Sequence, residues 1–101
     1  MKKFIPGTYS RFAQHEFGKE YDTVIISLLN KVADQYQITR KWKYERVLDG
    51  QLIDPEYKVS KSTGFYDLKR RYLRDNESGE VYSFDVKNKI LLNGSVKYQK
   101  L

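Results

Sequence analysis

Tyr36-Gln37-Ile38-Thr39-Arg40-Lys41-Trp42-Lys43-Tyr44-Glu45-Arg46 decides the fold. Tyr36, Ile38, Arg40, Trp42, Tyr44 and Arg46 take every second position, and the residues between them are polar. Successive side chains of an extended chain point to opposite faces. The pattern therefore predicts one long strand over 35–47, with an aromatic face turned inward and the other turned to water.

Upstream, Val24, Ile25, Ile26, Leu28 and Leu29 form an apolar block that reads as a strand covered on both faces. Ile25, Leu28, Leu29, Val32, Ala33 and Tyr36 also fall at helical spacing, with Asp22 placed to cap. The β-branched run 23–26 favours the strand, and 30–34 then reads as a turn. Earlier still, Thr8 to Gln14 alternates with Tyr9, Arg11 and Ala13 on one face, and Gly18 to Glu20 break the pattern.

Downstream, Asp49-Gly50 ends the long strand as a hairpin signal. Pro55 opens an extended segment with Tyr57 and Val59 on one face, interrupted at Gly64. Strands are expected at 72–76, 81–86, 90–92 and 95–100, the last two joined at Asn93-Gly94. The reading is a single all-β domain, an antiparallel meander of about eight short strands. Such a meander removes its exposed edges by closing into a small barrel. Residues 1–6 read as a flexible lead-in.

A chain of 101 residues supports one modest core. Nine Tyr, five Phe and one Trp suit strands and argue against disorder. The net charge of +6 permits attraction to nucleic acid or other anions, though acids interleave the cations and the excess also serves solubility. There is no Cys, which removes disulfides, thiolate nucleophiles and Cys-built zinc sites. No apolar stretch is long enough to span a bilayer. Lys2 and Lys3 resemble the basic start of an export signal, but Pro6 and Gly7 stand where its apolar segment belongs. The chain reads as cytosolic or as a mature domain freed of its signal.

The single histidine, His15, cannot by itself build a His-rich metal site or complete the familiar nucleophile triads. Asp75, Glu77 and Glu80 lack the register of a calcium loop and read as an exposed hairpin tip. Lys61-Ser62-Thr63-Gly64 lacks the glycines of a phosphate loop and reads as a turn. Asn93-Gly94-Ser95 fits the glycosylation pattern but is explained by its turn. No catalytic signature, metal or cofactor is expected.

Two binding surfaces remain. Arg40 shares the inner face with Trp42 and Tyr44, so it needs either a carboxylate partner or an anionic ligand. Arg40, Trp42 and Tyr44, with Tyr82 and Phe84 expected across the sheet, form the candidate ligand site. The alternative is a nucleic-acid surface of Lys69, Arg70, Arg71 and Arg74 beside Phe65, Tyr66 and Tyr72. Cations there would hold phosphates while rings stack bases.

Gly7-Thr8-Tyr9 opening the first strand, the continuous meander and the closing Val96-Lys97-Tyr98-Gln99-Lys100 together resemble small lipocalin-like proteins of bacterial envelopes. Tyr9 takes the place of that family's tryptophan, which closes the barrel base under a basic residue of the last strand. The resemblance gives Lys97 or Lys100 the role of that cation. Ile5 to Thr8 and Trp42 to Gly50 also resemble small exported lipoproteins of conjugative mobile elements. The resemblance implies a periplasmic or outer-membrane-tethered module without catalysis, binding a partner protein or a small amphipathic ligand.

Overall fold

The computed structural model describes residues 3–48 and 50–101. Nine strands follow in chain order: β1 (Gly7–His15), β2 (Gly18–Asn30), β3 (Gln35–Leu48), β4 (Gln51–Leu52), β5 (Glu56–Asp67), β6 (Tyr72–Asp75), β7 (Val81–Asp85), β8 (Ile90–Asn93) and β9 (Val96–Lys100). Every pairing is antiparallel. The order β2-β1-β9-β8-β7-β6-β5-β3 is closed by β2 pairing with β3, which makes an eight-stranded barrel. β4 is a short hairpin extension on the end of β3. Among the described residues no helix is long and apolar enough to cross a membrane. The segment 22–36, open between strand and helix in the sequence, is strand and turn.

The strands are unequal, and this shapes the molecule. β9 meets β1 only at Tyr9 and Ser10, and β6 meets β5 only from Gly64 to Asp67. Beyond those points β1, β2, β3 and β5 continue alone as a four-stranded arm. At about 3.3 Å per residue, the 13 residues of β2 run roughly 40 Å from the arm tip at Gly18 to the barrel base at Asn30. The molecule accordingly measures 52 × 26 × 20 Å.

Facing residues of paired strands share a side, so the register gives the inner face directly. At the base, Ile26, Ile38 and Ser62 lie in one row, and Leu28, Tyr36 and Gly64 in the next. Tyr9, Tyr36, Tyr66, Tyr82 and Tyr98 join Ile5, Val24, Ile26, Ile38, Leu73 and Leu91 in a single buried cluster that fills the lumen. Residues 1–6, expected as a lead-in, include two side chains that the barrel takes up: Ile5 is fully buried and Phe4 packs on the core. The Tyr9 hydroxyl donates to the carbonyls of Phe4 (2.9 Å) and Ile5 (2.7 Å). Lys100 closes this end, its Nζ 4.1 Å from the Phe4 ring centre and 5.7 Å from that of Tyr9. Lys97 is exposed.

Several local expectations are corrected. Gly18 to Glu20 do not break the chain; the turn is Glu16-Phe17 and β2 starts at Gly18. Gly64 does not interrupt β5, and Lys61–Gly64 is strand, not turn. Gly64 is small because β6 comes close: an added Cβ would lie 2.4 Å from the Arg74 carbonyl oxygen. The β8–β9 turn is Gly94-Ser95, with Gly94 at φ +62 and Asn93 still paired to Val96. Of the Asp49-Gly50 signal, Asp49 lies outside the described residues, while Gly50 takes φ +76 in the β3–β4 hairpin.

Candidate binding site at the barrel mouth

Where β6 to β9 stop covering the inner face, apolar rows give way to charge. Arg40 follows Ile38 on β3 and faces Val24 and Ser60. Its Nη1 donates to Glu80 Oε2 at 2.8 Å, and its Nη2 to Asp22 Oδ2 and the Tyr98 hydroxyl, both at 3.0 Å. Tyr98 donates to Asp22 Oδ2 at 2.7 Å, and Tyr82 to Glu80 Oε2 at 2.8 Å. Two carboxylates and two phenols thus converge on one guanidinium. Burial works against the Arg40 charge, but Tyr82, Asp22, Tyr98 and Glu80 outweigh it and raise its pKa. Burial, reinforced by Asp22, pushes the Tyr98 hydroxyl up to about 12. Burial likewise raises Tyr82, with help from Glu80. The expected choice for Arg40 resolves towards carboxylate partners, Asp22 and Glu80, while its partly exposed side chain still lines the adjoining cleft.

The acids around it differ in part from expectation. Asn76 to Gly79, Glu77 among them, are exposed at the hairpin tip as expected, but Asp75 at its base is only 4% exposed. Asp75 Oδ1 accepts from the amides of Glu77 (2.8 Å) and Ser78 (3.2 Å), and Oδ2 accepts from the Ser62 hydroxyl. Burial alone would raise the Asp75 pKa; Ser62 and the two amides reverse this and lower it. Asp22 is buried, with Oδ1 lacking a hydrogen-bond partner among the described residues, and Arg11 stands opposite it across β1–β2.

Farther out on the same face, Trp42 and Tyr44 are half-buried on the arm, beyond the core. Their rings stack at 5.8 Å and 4°. Trp42 Nε1 donates to Glu20 at 2.8 Å, and Lys58 Nζ stands 5.2 Å from the Trp42 ring centre. His15 stacks on the other side of the row, 5.8 Å from Tyr44, with Arg46 at 5.6 Å from the same ring. A cleft of about 600 Å³ opens beside them, lined by Asp22, Arg40, Trp42, Lys58, Val59 and Ser60.

The predicted site is therefore only partly assembled. Arg40, Trp42 and Tyr44 share one face. Tyr82 joins from below through Glu80 but is wholly buried. Phe84 does not join: it packs against Phe4, Tyr9 and Tyr66, among the rings that fill the base. Neither is a neighbour of β3 across the sheet, because β5 and β6 intervene. Sequence reasoning missed Asp22, Glu20, Glu80 and Lys58. Glu20, Asp22 and Lys58 were legible as facing partners of Tyr44 and Trp42 only after the register was known.

The alternative basic set sits on the barrel wall. Phe65 pairs with Arg74, and Asp67 with Tyr72. Arg70 Nη1 donates to the Tyr72 hydroxyl at 3.2 Å, and Asp67 Oδ1 caps the turn through the amides of Lys69 (2.9 Å) and Arg70 (3.0 Å). Phe65, Arg70, Tyr72 and Arg74 share a shallow depression of about 340 Å³. Lys69 and Arg71 are exposed in the adjoining turn, Arg71 with φ 61.

Among the described residues no three His, Asp or Glu side chains are grouped so as to hold a metal ion. No family model, no curated protein and no solved structure matches this chain.

Proposed function

We propose that this chain is a non-catalytic binding module of the bacterial envelope that recognises a partner protein through its arm. One observation carries the reading: the arm projects beyond the closed barrel with aromatic rings on both faces. Trp42, Tyr44 and His15 line the inner face. On the outer face Phe12, Tyr21, Lys43 and Tyr57 form a row, with Phe12 and Tyr21 at 5.0 Å and Lys43 set between Tyr21 and Tyr57. Phe12 and Tyr57 are 54% and 66% exposed, and Val59 and Phe17 extend the patch. Exposed apolar groups gathered on one projection mark interaction surfaces.

A protein partner is preferred to a small amphipathic ligand because side chains occupy the lumen where lipocalin-like barrels hold theirs. The acids nearest the cleft are engaged by Arg40, Tyr82, Tyr98, Ser62 and backbone amides, which favours structure over acid–base work. The envelope, periplasmic or outer-membrane-tethered, rests on the resemblance alone. The test is site-directed photocrosslinking in the native cell, with a benzophenone side chain at Phe12, Tyr57 or Val86. The same adduct at Phe12 and Tyr57 and none at Val86 is expected. Adducts absent from the arm, or equal at Val86, overturn the reading.

A second reading rests on the depression of Phe65, Arg70, Tyr72 and Arg74, which pairs cations with exposed rings as single-strand binders do. It requires retention on single-stranded DNA that falls steeply with salt and is lost when Lys69, Arg70 and Arg71 are replaced together. Retention indifferent to salt sinks it.

A further inference from the structure

Thr63 reveals which way the backbone of β5 faces. Its carbonyl accepts from the Asn76 amide at 2.9 Å, on the side away from β3. In an antiparallel strand the N–H and C=O of one residue point to the same neighbour, and residues alternate sides. Tyr57, Val59 and Lys61 therefore aim their amides and carbonyls outward. β6 pairs with β5 no earlier than Gly64, so among the described residues no strand covers that edge. Every residue from Glu56 to Lys61 is exposed.

Three clefts converge there. The 600 Å³ cleft on the inner face includes Lys58, Val59 and Ser60. A second, of about 240 Å³, lies between Ser60, Lys61 and Ser62 and the acidic loop of Asp75, Glu77 and Glu80. A third, of about 360 Å³ on the outer face, includes Tyr57, Lys58 and Val59 beside Lys41 and Lys43. An extended segment hydrogen-bonded to the edge would send alternate side chains to each face. We propose that the β5 edge, Tyr57 to Lys61, is a strand-addition site for an acidic extended segment of a partner protein. This rests on the partner reading and names the way the partner docks.

Charge selects the occupant. Lys58 and Lys61 lie on the edge itself, with Lys41 and Lys43 behind it on the outer face. A second copy pairing antiparallel on this edge would gather the lysines of both copies along one seam, and like charges crowded at an edge disfavour such pairing. A strand with acids on one face and apolar residues on the other meets Lys58 on the inner side and Tyr57 and Val59 on the outer. Main-chain bonds supply affinity in such complexes and the alternate pockets supply selectivity.

The probe is fluorescein-labelled Glu-Val-Glu-Phe-Glu-Val-Glu, titrated by anisotropy against the full chain. Saturable binding with a Kd below about 1 mM is expected, weakening with salt. Its lysine-for-glutamate counterpart should not bind. Amide exchange should slow at Tyr57, Val59 and Lys61 and stay unchanged at Lys58 and Ser60, which face β3. Val59→Pro removes an outward amide without breaking the β3 ladder and should weaken binding at least about tenfold with unaltered Trp42 emission. Lys58→Glu should invert the preference between the two peptides, independently of how V59P folds. No saturable binding, or binding equal for both peptides, or full binding by V59P, overturns the proposal. If crosslinks still form at Phe12 and Tyr57 in that event, the partner reading stands and only its strand-addition mode falls.

Discussion

Arg40 on β3 reaches Glu80, the residue before β7, at 2.8 Å although β5 and β6 stand between, so one ion pair spans the mouth of the barrel. It stands at the boundary between the packed lumen and the open arm. The same guanidinium holds Asp22 and Tyr98, which ties β2, β3, β9 and the start of β7 together at one point.

Arg40→Met is expected to leave Asp22 and Glu80 facing each other without a cation. Removing one partner of a buried pair costs several kcal/mol, but the Arg40 and Glu80 side chains are 26% and 38% exposed. Solvent screening brings the expected loss to about 2 kcal/mol. Thermal melting should fall by roughly 10 °C, and adding Glu80→Gln should restore part of it. A melting temperature untouched by R40M would show the network to be ornamental.

Asp75 contributes to acid sensitivity. Its pKa in the folded state lies below the ordinary 3.8, through Ser62 and the amides of Glu77 and Ser78 acting against burial. A depressed carboxyl stabilises the fold above pH 3.8, and that stabilisation is lost as pH falls through the folded value. Asp75→Asn should cost about 1 kcal/mol at neutral pH and flatten the decline in melting temperature below about pH 4. Parallel wild-type and D75N curves over that range would contradict the assignment.

At high pH the phenols take over. Tyr98 is raised to about 12, and burial raises Tyr9 and Tyr82 as well. The folded chain keeps these protons after the unfolded chain begins to lose them near 10.0. Their contribution is therefore complete below pH 10 and disappears as pH climbs towards 12. Absorbance at the tyrosinate band should show a delayed group of phenols ionising together with unfolding. Tyr98→Phe should remove part of that delay. Smooth ionisation of all nine tyrosines well before unfolding would be incompatible with the buried cluster.

The alternation from Tyr36 to Arg46 was enough to read β3, and recurring turn residues were enough to read a closed meander. What alternation cannot show is where a barrel stops. Ile38 and Trp42 occupy equivalent positions on one face, yet Ile38 is buried and Trp42 half-buried. The difference lies in whether β6 to β9 cover them, which depends on strand lengths set elsewhere in the chain. The Arg40 partners show the same limit from another side. Inward placement called for either a carboxylate partner or an anionic ligand, but Asp22 and Glu80 are brought in by the β2–β3 register and by closure across the mouth. Phe84 was misassigned for the converse reason: its alternation with Tyr82 is correct, but one step of two residues along β7 carries it from the mouth towards the base.

Gly64 offers the sharpest check on closure. Read as a chain break, it is instead a strand residue facing Asp75, and it has no room for a methyl group. An alanine Cβ would meet the Arg74 carbonyl oxygen at 2.4 Å and Ile38 Cδ1 at 3.1 Å. The backbone oxygen cannot rotate aside, so β5 and β6 must separate. Gly64→Ala is expected to destabilise by about 2–3 kcal/mol, read as a lower urea midpoint. Amide exchange should speed up at Asp75 and Asn76, where β6 leaves β5. Arm residues such as Tyr21 and Lys43, which pair with each other and with Phe12 of β1 and Tyr57 of β5, should keep their protection until global unfolding. If G64A melts like the parent, β6 does not lie against β5 as closely as closure of the barrel demands.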